Sequence, residues 1–404
     1  MRPVQVFDRL LIFGALLFGF IGATDAQRYT GPGVTKSEIR IGQTMPYSGP
    51  ISAYGATGRA QAAYFRMLNE KGGIGGRKIV FLSLDDGNNP ARTFEQTRKL
   101  VEEDDVLLLF SSVGTASGFA VRKYANAKRV PQIFVAGGDR SWGDYKNFPW
   151  TIGWMPTFRS EGRLYAKHIL RNHPDARIAV LYANDDYGKD YLQGFKEGLG
   201  EKAATMIVGM ETFEWSDPTV DSQIISLQAS GADTFFTATA GKQATQTIQK
   251  VWALGWRPAH YSALPATSPQ GILAPAGLEK SVGMVSAYYA KDPAMKGFSD
   301  TPAGQEYFAW AKKYYEGDPY DGIATYGYQV AQALEYVLRA CGDNLSRENI
   351  MKITTHLKDL ELPMLFPGVK VNTSPTDYYP INQFVMIRFD GKDWVPFTDV
   401  LTED

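Results

Sequence analysis

The chain has 404 residues, with 42 Lys and Arg balanced by 43 Asp and Glu, and a single cysteine. A balanced charge without a basic run argues against nucleic acid as a partner. One cysteine excludes an internal disulfide, and the length suffices for two hydrophobic cores of ordinary size.

The first residues have the pattern of a secretory signal peptide. Arg2 and Arg9 precede the uncharged run 10–23, and small residues stand at the first and third positions before a cut after Ala26. The run is too short for a comfortable membrane span, and no later run approaches the ~20 residues that a span needs. We therefore expect 1–26 to be removed and the rest to be soluble and exported. Export without disulfides favours a bacterial periplasm.

From Ile39 onward, strand patterns alternate with helix patterns, which is typical of a mainly parallel sheet flanked by helices. The predicted strands are 39–45, 78–84, 107–110 and 132–136. In such sheets ligands bind beyond the carboxyl ends of the strands. The segments at those ends are rich in Gly, Ser, Asn, Asp or aromatic residues. They are 46–55, 85–89, 111–117 and 137–142.

The segment Leu107 to Gly118 (LLLFSSVGTASG) contains the clearest signal of a ligand site. A buried strand passes through small and hydroxylated residues into a helix predicted from about Ala116 to Ala127. The start of a helix offers free backbone N–H groups and the positive end of the helix dipole. The segment therefore predicts an anion site around Gly114 and Thr115. The alternative is that Thr115 or Ser117 simply caps the helix.

A second series of strands and helices begins near Ser160, which predicts two lobes of one architecture. Its strands are predicted at 178–182, 206–213, 234–238 and 260–262, with a helix from Asp217-Pro218 between the second and the third. A further strand at 283–289 follows, then three helices, of which the first opens at Thr301-Pro302 and the second is capped by Asp321, and a hairpin at Asp390-Gly391. These elements are expected when a chain returns to complete the first lobe and then crosses again, so that several connecting strands form a hinge.

Five motifs stand in order at matching structural positions. They are Pro46-Tyr47-Ser48-Gly49-Pro50 with Tyr54-Gly55, Asn69 to Gly76 (NEKGGIGG), Asp85-Asp86-Gly87, Gly114-Thr115 and Asp185-Asp186-Tyr187-Gly188. Together they resemble the type I periplasmic solute-binding proteins of the branched-chain amino acid group, which feed ABC importers. Trp142-Gly143-Asp144 and Asn147-Phe148-Pro149-Trp150 are similar to the subgroup for varied small acids, including aromatic ones.

The resemblance covers essentially all of the chain beyond the leader and implies an α/β fold. This is the two-lobed type I periplasmic binding protein fold, in which each lobe is a mainly parallel sheet flanked by helices and a multi-strand hinge joins the lobes. The expected boundaries are 27–157 and 286–378 for lobe 1, and 158–285 and 379–404 for lobe 2.

The resemblance also implies a ligand site in the cleft between the lobes. The loop after the third strand would hold the ligand carboxylate, the loop after the fourth strand would lie beside it, and aromatic side chains of both lobes would cover the ligand. The implied contacts are Gly114, Thr115, Ala116, Ala136, Gly137, Gly138, Tyr54, Tyr187 and Thr239, and Leu264 and Tyr288 are further candidates for the apolar wall.

One departure from the family concerns the ligand. Amino acid receptors place an acidic residue shortly after the strand at His260 to Ser262 to hold the α-ammonium group, whereas this chain has Ala263 to Ala266, with Leu264 among them. The absence favours an aromatic or aliphatic carboxylate without an amino group. Burying such an anion costs several kcal/mol, and each hydrogen bond to it returns ~1.5–3 kcal/mol, so Thr115 and the neighbouring amides could offset the cost.

We expect a monomeric periplasmic receptor that delivers a small organic acid to the membrane permease of an ABC importer, without a cofactor or a metal. One alternative is a ligand-sensing module of a signalling receptor. Another is a hydrolase, but the GTASG sequence at 114–118 lacks the G-x-S-x-G spacing, and the four histidines are scattered.

Three other features have structural interpretations. Asp85 and Asp86 match no metal-binding loop, so hydrogen bonding at the strand end is expected. Arg140 is interpreted as a solvated loop residue rather than a partner of the ligand carboxylate. Cys341 falls on an apolar helix face and is predicted to be a small core residue.

Overall fold

Two sheets flanked by helices make up the structure, a computed structural model that describes residues 28–403. The predicted leader, 1–26, lies outside the described residues. The strands are β1 (Glu38–Met45), β2 (Lys78–Asp85), β3 (Leu108–Phe110), β4 (Gln132–Val135), β5 (Thr151–Gly153), β6 (Ile178–Ala183), β7 (Ile207–Phe213), β8 (Thr234–Ala238), β9 (Ala259–Ser262), β10 (Val285–Tyr288), β11 (Gln383–Phe389), β12 (Trp394–Pro396) and β13 (Leu401–Thr402). The helices are α1 (Gly55–Glu70), α2 (Pro90–Glu102), α3 (Thr115–Ala127), α4 (Phe158–Asn172), α5 (Asp186–Leu199), α6 (Ala203–Met206), α7 (Asp221–Ala229), α8 (Gly241–Ala253), α9 (Ala274–Ala276), α10 (Pro302–Tyr314), α11 (Gly322–Ala340) and α12 (Arg347–Thr354).

The first sheet is parallel throughout, in the order β2-β1-β3-β4-β5. Its central strand β3 is only three residues long and is wholly buried, as expected for a strand that is covered on both faces. Helices α1, α2 and α3 connect its first four strands. The carboxyl ends of these strands therefore meet at one edge of the sheet.

The second sheet follows the order β12-β11-β10-β9-β8-β6-β7, with β13 paired to β11. The strands from β10 to β7 are parallel, whereas β11 runs antiparallel to both β10 and β12. The predicted hairpin is confirmed, and Asp390 Oδ1 accepts hydrogen bonds from the backbone N–H groups of Lys392 and Asp393, at 2.9 and 2.8 Å.

The chain passes between the two sheets three times: after β5, after β10 and before β11. Because β10 belongs to the second sheet, the chain leaves that sheet only after Tyr288, slightly later than the expected boundary at position 286. Helix α11 then packs against α1, on the side of the first sheet. The returning segments give the cleft between the sheets several connections.

Helix starts follow local signals in the sequence. Asn89, Thr301 and Asp321 each cap a helix, accepting a backbone hydrogen bond at 3.1, 3.0 and 2.9 Å, respectively. The helix predicted from Asp217-Pro218 instead begins at Asp221. The difference arises because the Asp217 carboxylate accepts from the N–H of Glu214 and forms a turn before the helix.

Hydrophobic side chains fill both faces of the second sheet and the interior around the first. Cys341 is buried in the core that α11 shares with α1, as the sequence predicts. Between residues 28 and 403, none of the helices combines the length and apolar character that crossing a membrane requires.

Candidate functional site

A cavity of about 260 Å³ lies where the two sheets face each other. Its walls are the segments that follow β1 to β4 in the first sheet and β6 to β10 in the second, which is the edge where parallel sheets bind ligands. The volume is below the roughly 300–1,000 Å³ typical of drug-sized ligands. The cavity therefore suits a small molecule.

The first wall is the uncapped start of α3. Gly114 precedes the helix with φ of 104°, and no side chain caps the helix. The capping role considered for Thr115 and Ser117 is therefore wrong, since Thr115 is the first helical residue and the buried Ser117 hydroxyl has no partner within residues 28–403. The N–H groups of the first turn are left without intrahelical acceptors. Gly114, Thr115 and Ala116 all line the cavity.

Glycine at position 114 permits this geometry. Its positive φ is unfavourable for other residues, and a Cβ would lie 2.6 Å from Oδ1 of Asn88, which also lines the cavity. The loop after β4 approaches from the other side, where the Cβ position of Gly137 would be 3.7 Å from the Thr115 hydroxyl and 3.4 Å from Nε1 of the buried Trp142. Trp142 thus packs beneath both loops and fixes one against the other.

Aromatic side chains from both lobes form the opposite walls. Tyr54, which precedes α1, donates a hydrogen bond across the cleft to the carbonyl of Pro265. Tyr187, at the start of α5, donates to the carbonyl of Thr239 at 3.0 Å and packs edge to face against Phe158. Burial raises the pKa of both tyrosines well above the ordinary value, so both stay neutral at physiological pH.

Most of the predicted contact residues line the cavity. Those that do are Tyr54, Gly114, Thr115, Ala116, Ala136, Gly137, Tyr187, Leu264 and Tyr288. Gly138 does not, because its carbonyl accepts from the Phe158 N–H at 2.7 Å and a Cβ would come within 2.4 Å of the Pro156 carbonyl. Thr239 does not line it either, since its buried side chain lies outside the wall and its carbonyl supports Tyr187.

A buried carboxyl group lies directly behind Leu264. Glu161 on α4 is 1 % exposed, and its Oε1 accepts from the Leu264 N–H at 2.7 Å and the Tyr165 hydroxyl at 2.5 Å. Its Oε2 accepts from the Tyr191 hydroxyl at 2.6 Å. Burial raises the pKa of Glu161 to about 7. Glu161 does not line the cavity, so it positions the wall at Leu264 and does not face a ligand.

The sequence reasoning missed Asp292, the carboxyl group that does line the cavity together with Asp185. Asp292 follows β10 and is 4 % exposed. Its Oδ1 accepts from the Ala294 N–H at 2.8 Å, and burial raises its pKa to about 7. The signal available in the sequence was the position of Asp292 just beyond a strand of the parallel sheet, where ligands bind. Asp185 differs because Gly188 N–H and Trp215 Nε1 occupy its two oxygens.

The aspartates after β2 have the structural role expected of them. Asp85 accepts from the N–H and hydroxyl of Ser48 and pairs with Arg92 at 3.0 Å, and Asp86 accepts from the Thr93 hydroxyl at 3.1 Å. In the described part of the chain, no group of three or more His, Cys, Asp and Glu residues could hold a metal ion. Arg140 lies outside the cavity wall.

Two α/β lobes with a cavity between the carboxyl ends of their sheets define the architecture of a two-lobed solute-binding protein. A family profile described as "Periplasmic binding protein" matches residues 38–393, and the chain belongs to this family. The predicted family and the predicted two-lobed type I fold are both confirmed.

Relatives and solved structures agree with this assignment. The chain is 22% identical over 325 residues to "Leu/Ile/Val-binding protein homolog 7" of Brucella abortus (strain 2308), covering 78% of this chain and 80% of the relative. Its fold is similar to that of a branched-chain amino acid ABC transporter protein from Thermus thermophilus with bound valine (TM-score 0.80, 16% identity, 91% of this chain and 97% of that chain). It is also similar to an ABC transporter solute-binding protein from R. palustris in complex with benzoate (TM-score 0.75, 20% identity, 91% and 98%).

Proposed function

We propose that this protein is the periplasmic receptor of an ABC importer, and that it binds a small organic carboxylate between its lobes and delivers it to a membrane permease. The receptor acts as a monomer. The carboxylate lies against the first turn of α3, and the rest of the ligand contacts the aromatic walls.

The observation that carries this proposal is the uncapped start of α3 opening into a mainly apolar cavity. Free N–H groups and the helix dipole attract an anion. Removing a carboxylate from water costs several kcal/mol, and each charge-assisted hydrogen bond returns ~1.5–3 kcal/mol. Three or four donors would therefore roughly balance the cost, and apolar contact would supply the net affinity.

The ligands of the two solved relatives support the same chemistry. Valine and benzoate, which those proteins hold, each combine a carboxylate with an apolar group. In this chain Gly114, Thr115 and Ala116 would receive the carboxylate, and Tyr54 and Tyr187 would cover the apolar group. A ligand of ~10 heavy atoms with a dissociation constant of ~1 µM needs a binding free energy of ~0.8 kcal/mol per heavy atom. This is below the ceiling of ~1.5 kcal/mol per heavy atom for small ligands.

The test is a thermal-shift screen of refolded, ligand-stripped protein against carboxylates and their uncharged amides, for example benzoate with benzamide and 3-methylbutanoate with 3-methylbutanamide. A ligand at ~100 times its dissociation constant adds ~2.7 kcal/mol, which raises the melting temperature of a chain of this size by roughly 3 °C. We expect acids to stabilise the protein and amides not to. Equal shifts in melting temperature from acids and amides would contradict the anion site. The absence of a shift with any acid would contradict the proposed ligand class.

A further inference from the structure

Asp292 is a buried carboxyl group in the wall of the cavity with one oxygen unused. Its Oδ1 accepts from the Ala294 N–H at 2.8 Å. In the part of the chain that the structure describes, its Oδ2 accepts no hydrogen bond, and neither oxygen pairs with a Lys or Arg. Buried carboxylates normally have partners, because an unpaired one loses its hydration without compensation.

The surroundings of Asp292 do not supply the missing partner. The charged groups that act on it are Asp321, which caps α11, and Asp393 in the hairpin between β11 and β12, and both are acidic. The capping carboxylate of Asp321 is itself occupied by the Ile323 N–H and the Ser268 hydroxyl, at 2.9 and 3.0 Å. Tyr288 also lines the cavity and its hydroxyl interacts electrostatically with Asp292, but in the described residues it forms no hydrogen bond to Oδ2.

Oδ2 of Asp292 lies close to the start of α11. Gly322, the first residue of that helix, also lines the cavity, and a Cβ there would come within 2.5 Å of Asp292 Oδ2. Glycine at this position therefore lets the carboxyl group stand in the cavity wall. Asp292 belongs to the segment after β10, whereas the α3 start belongs to the first sheet, so two different walls carry the two polar features.

From this placement we infer that Asp292 determines specificity: the preferred ligand carries, besides its carboxylate, a hydrogen-bond donor that pairs with Asp292. The inference rests on the proposed function, since it assigns the second polar group of the same ligand. The donor is a hydroxyl or an ammonium group. The donor of the ligand takes the place of the missing protein partner of Asp292. An analogue without the donor would leave this buried carboxyl group unpaired, and the site would therefore bind it less tightly.

The experiment compares dissociation constants by calorimetry for benzoate, 3-hydroxybenzoate, 4-hydroxybenzoate, and valine with its deaminated analogue 3-methylbutanoate. Each is measured with the wild type, Asp292→Asn and Asp292→Leu. We expect at least one ligand with a donor to bind about tenfold more tightly than its partner without one, and Asp292→Leu to abolish that preference. Loss of binding in Asp292→Asn for valine alone would identify an ammonium donor, whereas retained binding of a hydroxybenzoate would identify a hydroxyl.

Two controls separate the possible failures. Asp292→Asn keeps the bond to Ala294 and is expected to melt no lower than the wild type without ligand. A purely structural Asp292 would lower the melting temperature of Asp292→Leu and leave the preference for a donor intact. A preference that survives in Asp292→Leu, or carboxylates that bind with no preference for a donor, would overturn the inference alone. Failure of every carboxylate would contradict the proposed function itself.

Discussion

Tyr187 shows how a single side chain in the cleft is oriented before any ligand arrives. Its hydroxyl donates to the Thr239 carbonyl at 3.0 Å, and its ring is held between Phe158 and Trp215, with centroids 5.0 and 5.9 Å away. Because protein contacts fix the ring, a ligand gains contact area without paying to order it. We therefore expect the ring of Tyr187, rather than its hydroxyl, to contribute to ligand affinity.

Substitutions of Tyr187 test whether its ring or its hydroxyl contributes to affinity. We expect Tyr187→Ala to weaken binding of the best carboxylate at least about tenfold, or about 1.4 kcal/mol, because it removes one apolar wall. Tyr187→Phe is the matched control, since it keeps the ring and loses only the bond to Thr239, and we expect a small change. Calorimetry on both variants, with circular dichroism to check the fold, measures the difference. Unchanged affinity in Tyr187→Ala would exclude this residue from the site.

Glu161 gives the stability of the protein a pH dependence of known sign. Its pKa is raised to about 7 in the folded state from an ordinary 4.5. Between these values the folded state keeps a proton that the unfolded state releases. The contribution of Glu161 is therefore complete below about pH 4.5 and is lost as the pH rises through about 7.

The variant Glu161→Gln isolates this contribution, because other titrating groups are common to both proteins. We expect the free energy of unfolding of the wild type, relative to that of Glu161→Gln, to fall by up to about 3 kcal/mol between about pH 5 and about pH 8. Urea denaturation at several pH values measures it. A difference that stays constant with pH would show that Glu161 is ionised in the folded protein.

At the scale of elements, α3 is one of the helices that begin without a capping side chain, together with α1, α7 and α8. Helices α2, α4, α5 and α10 each begin with a side chain that caps the first turn, at Asn89, Thr157, Asp185 and Thr301. Helix α3 begins at Gly114 without one. A missing cap costs helix stability of about 0.5–2 kcal/mol. The proposed anion site would give these free N–H groups an acceptor and so account for the missing cap.

An acid placed in this first turn separates helix stability from ligand binding. Ala116 lies in the turn and lines the cavity. We expect Ala116→Asp to leave the unliganded melting temperature unchanged or higher, because a negative charge complements the helix dipole. Carboxylate binding should nevertheless weaken by about tenfold or more, because the new charge competes for the same N–H groups.

The control for this prediction is Ala116→Asn, which has nearly the same size and no charge. It should bind carboxylates more tightly than Ala116→Asp in the same titration. If both variants lose affinity equally, steric filling of the cavity rather than charge is responsible, and the anion site at α3 would need another location.

An element can be predicted from the sequence when its cause lies in a few neighbouring residues. Asn89, Thr301 and Asp321 cap the helices that the sequence predicts, because a cap depends only on a few adjacent residues. Gly138, in contrast, is turned away from the cavity by packing against Phe158. Asp292 stands just beyond a predicted strand, but it was missed because its place in the cleft also depends on where the chain crosses between the lobes.

At the scale of the whole molecule, contacts across the cleft hold it closed. Tyr54 donates to the Pro265 carbonyl, and the Lys242 N–H at the start of α8 donates to the Pro50 carbonyl at 3.4 Å. Pro50 follows β1 in the first sheet, whereas α8 follows β8 in the second. Because these contacts span the cleft, we expect exchange of a ligand with solvent to require separation of the two walls, as in hinge opening.

A disulfide across the cleft would test this requirement. The Lys242 N–H lies 3.4 Å from the Pro50 carbonyl oxygen, so these two residues face each other across the cleft, and the single native cysteine, Cys341, is buried. We expect the oxidised double variant Pro50→Cys/Lys242→Cys to retain a carboxylate that was bound before oxidation. The same oxidised variant should not bind a carboxylate added after oxidation, whereas the reduced protein should exchange its ligand freely. Equilibrium dialysis with labelled ligand measures both, with Lys242→Cys alone as the control. Free exchange by the oxidised protein would mean that ligands enter without separation of the lobes.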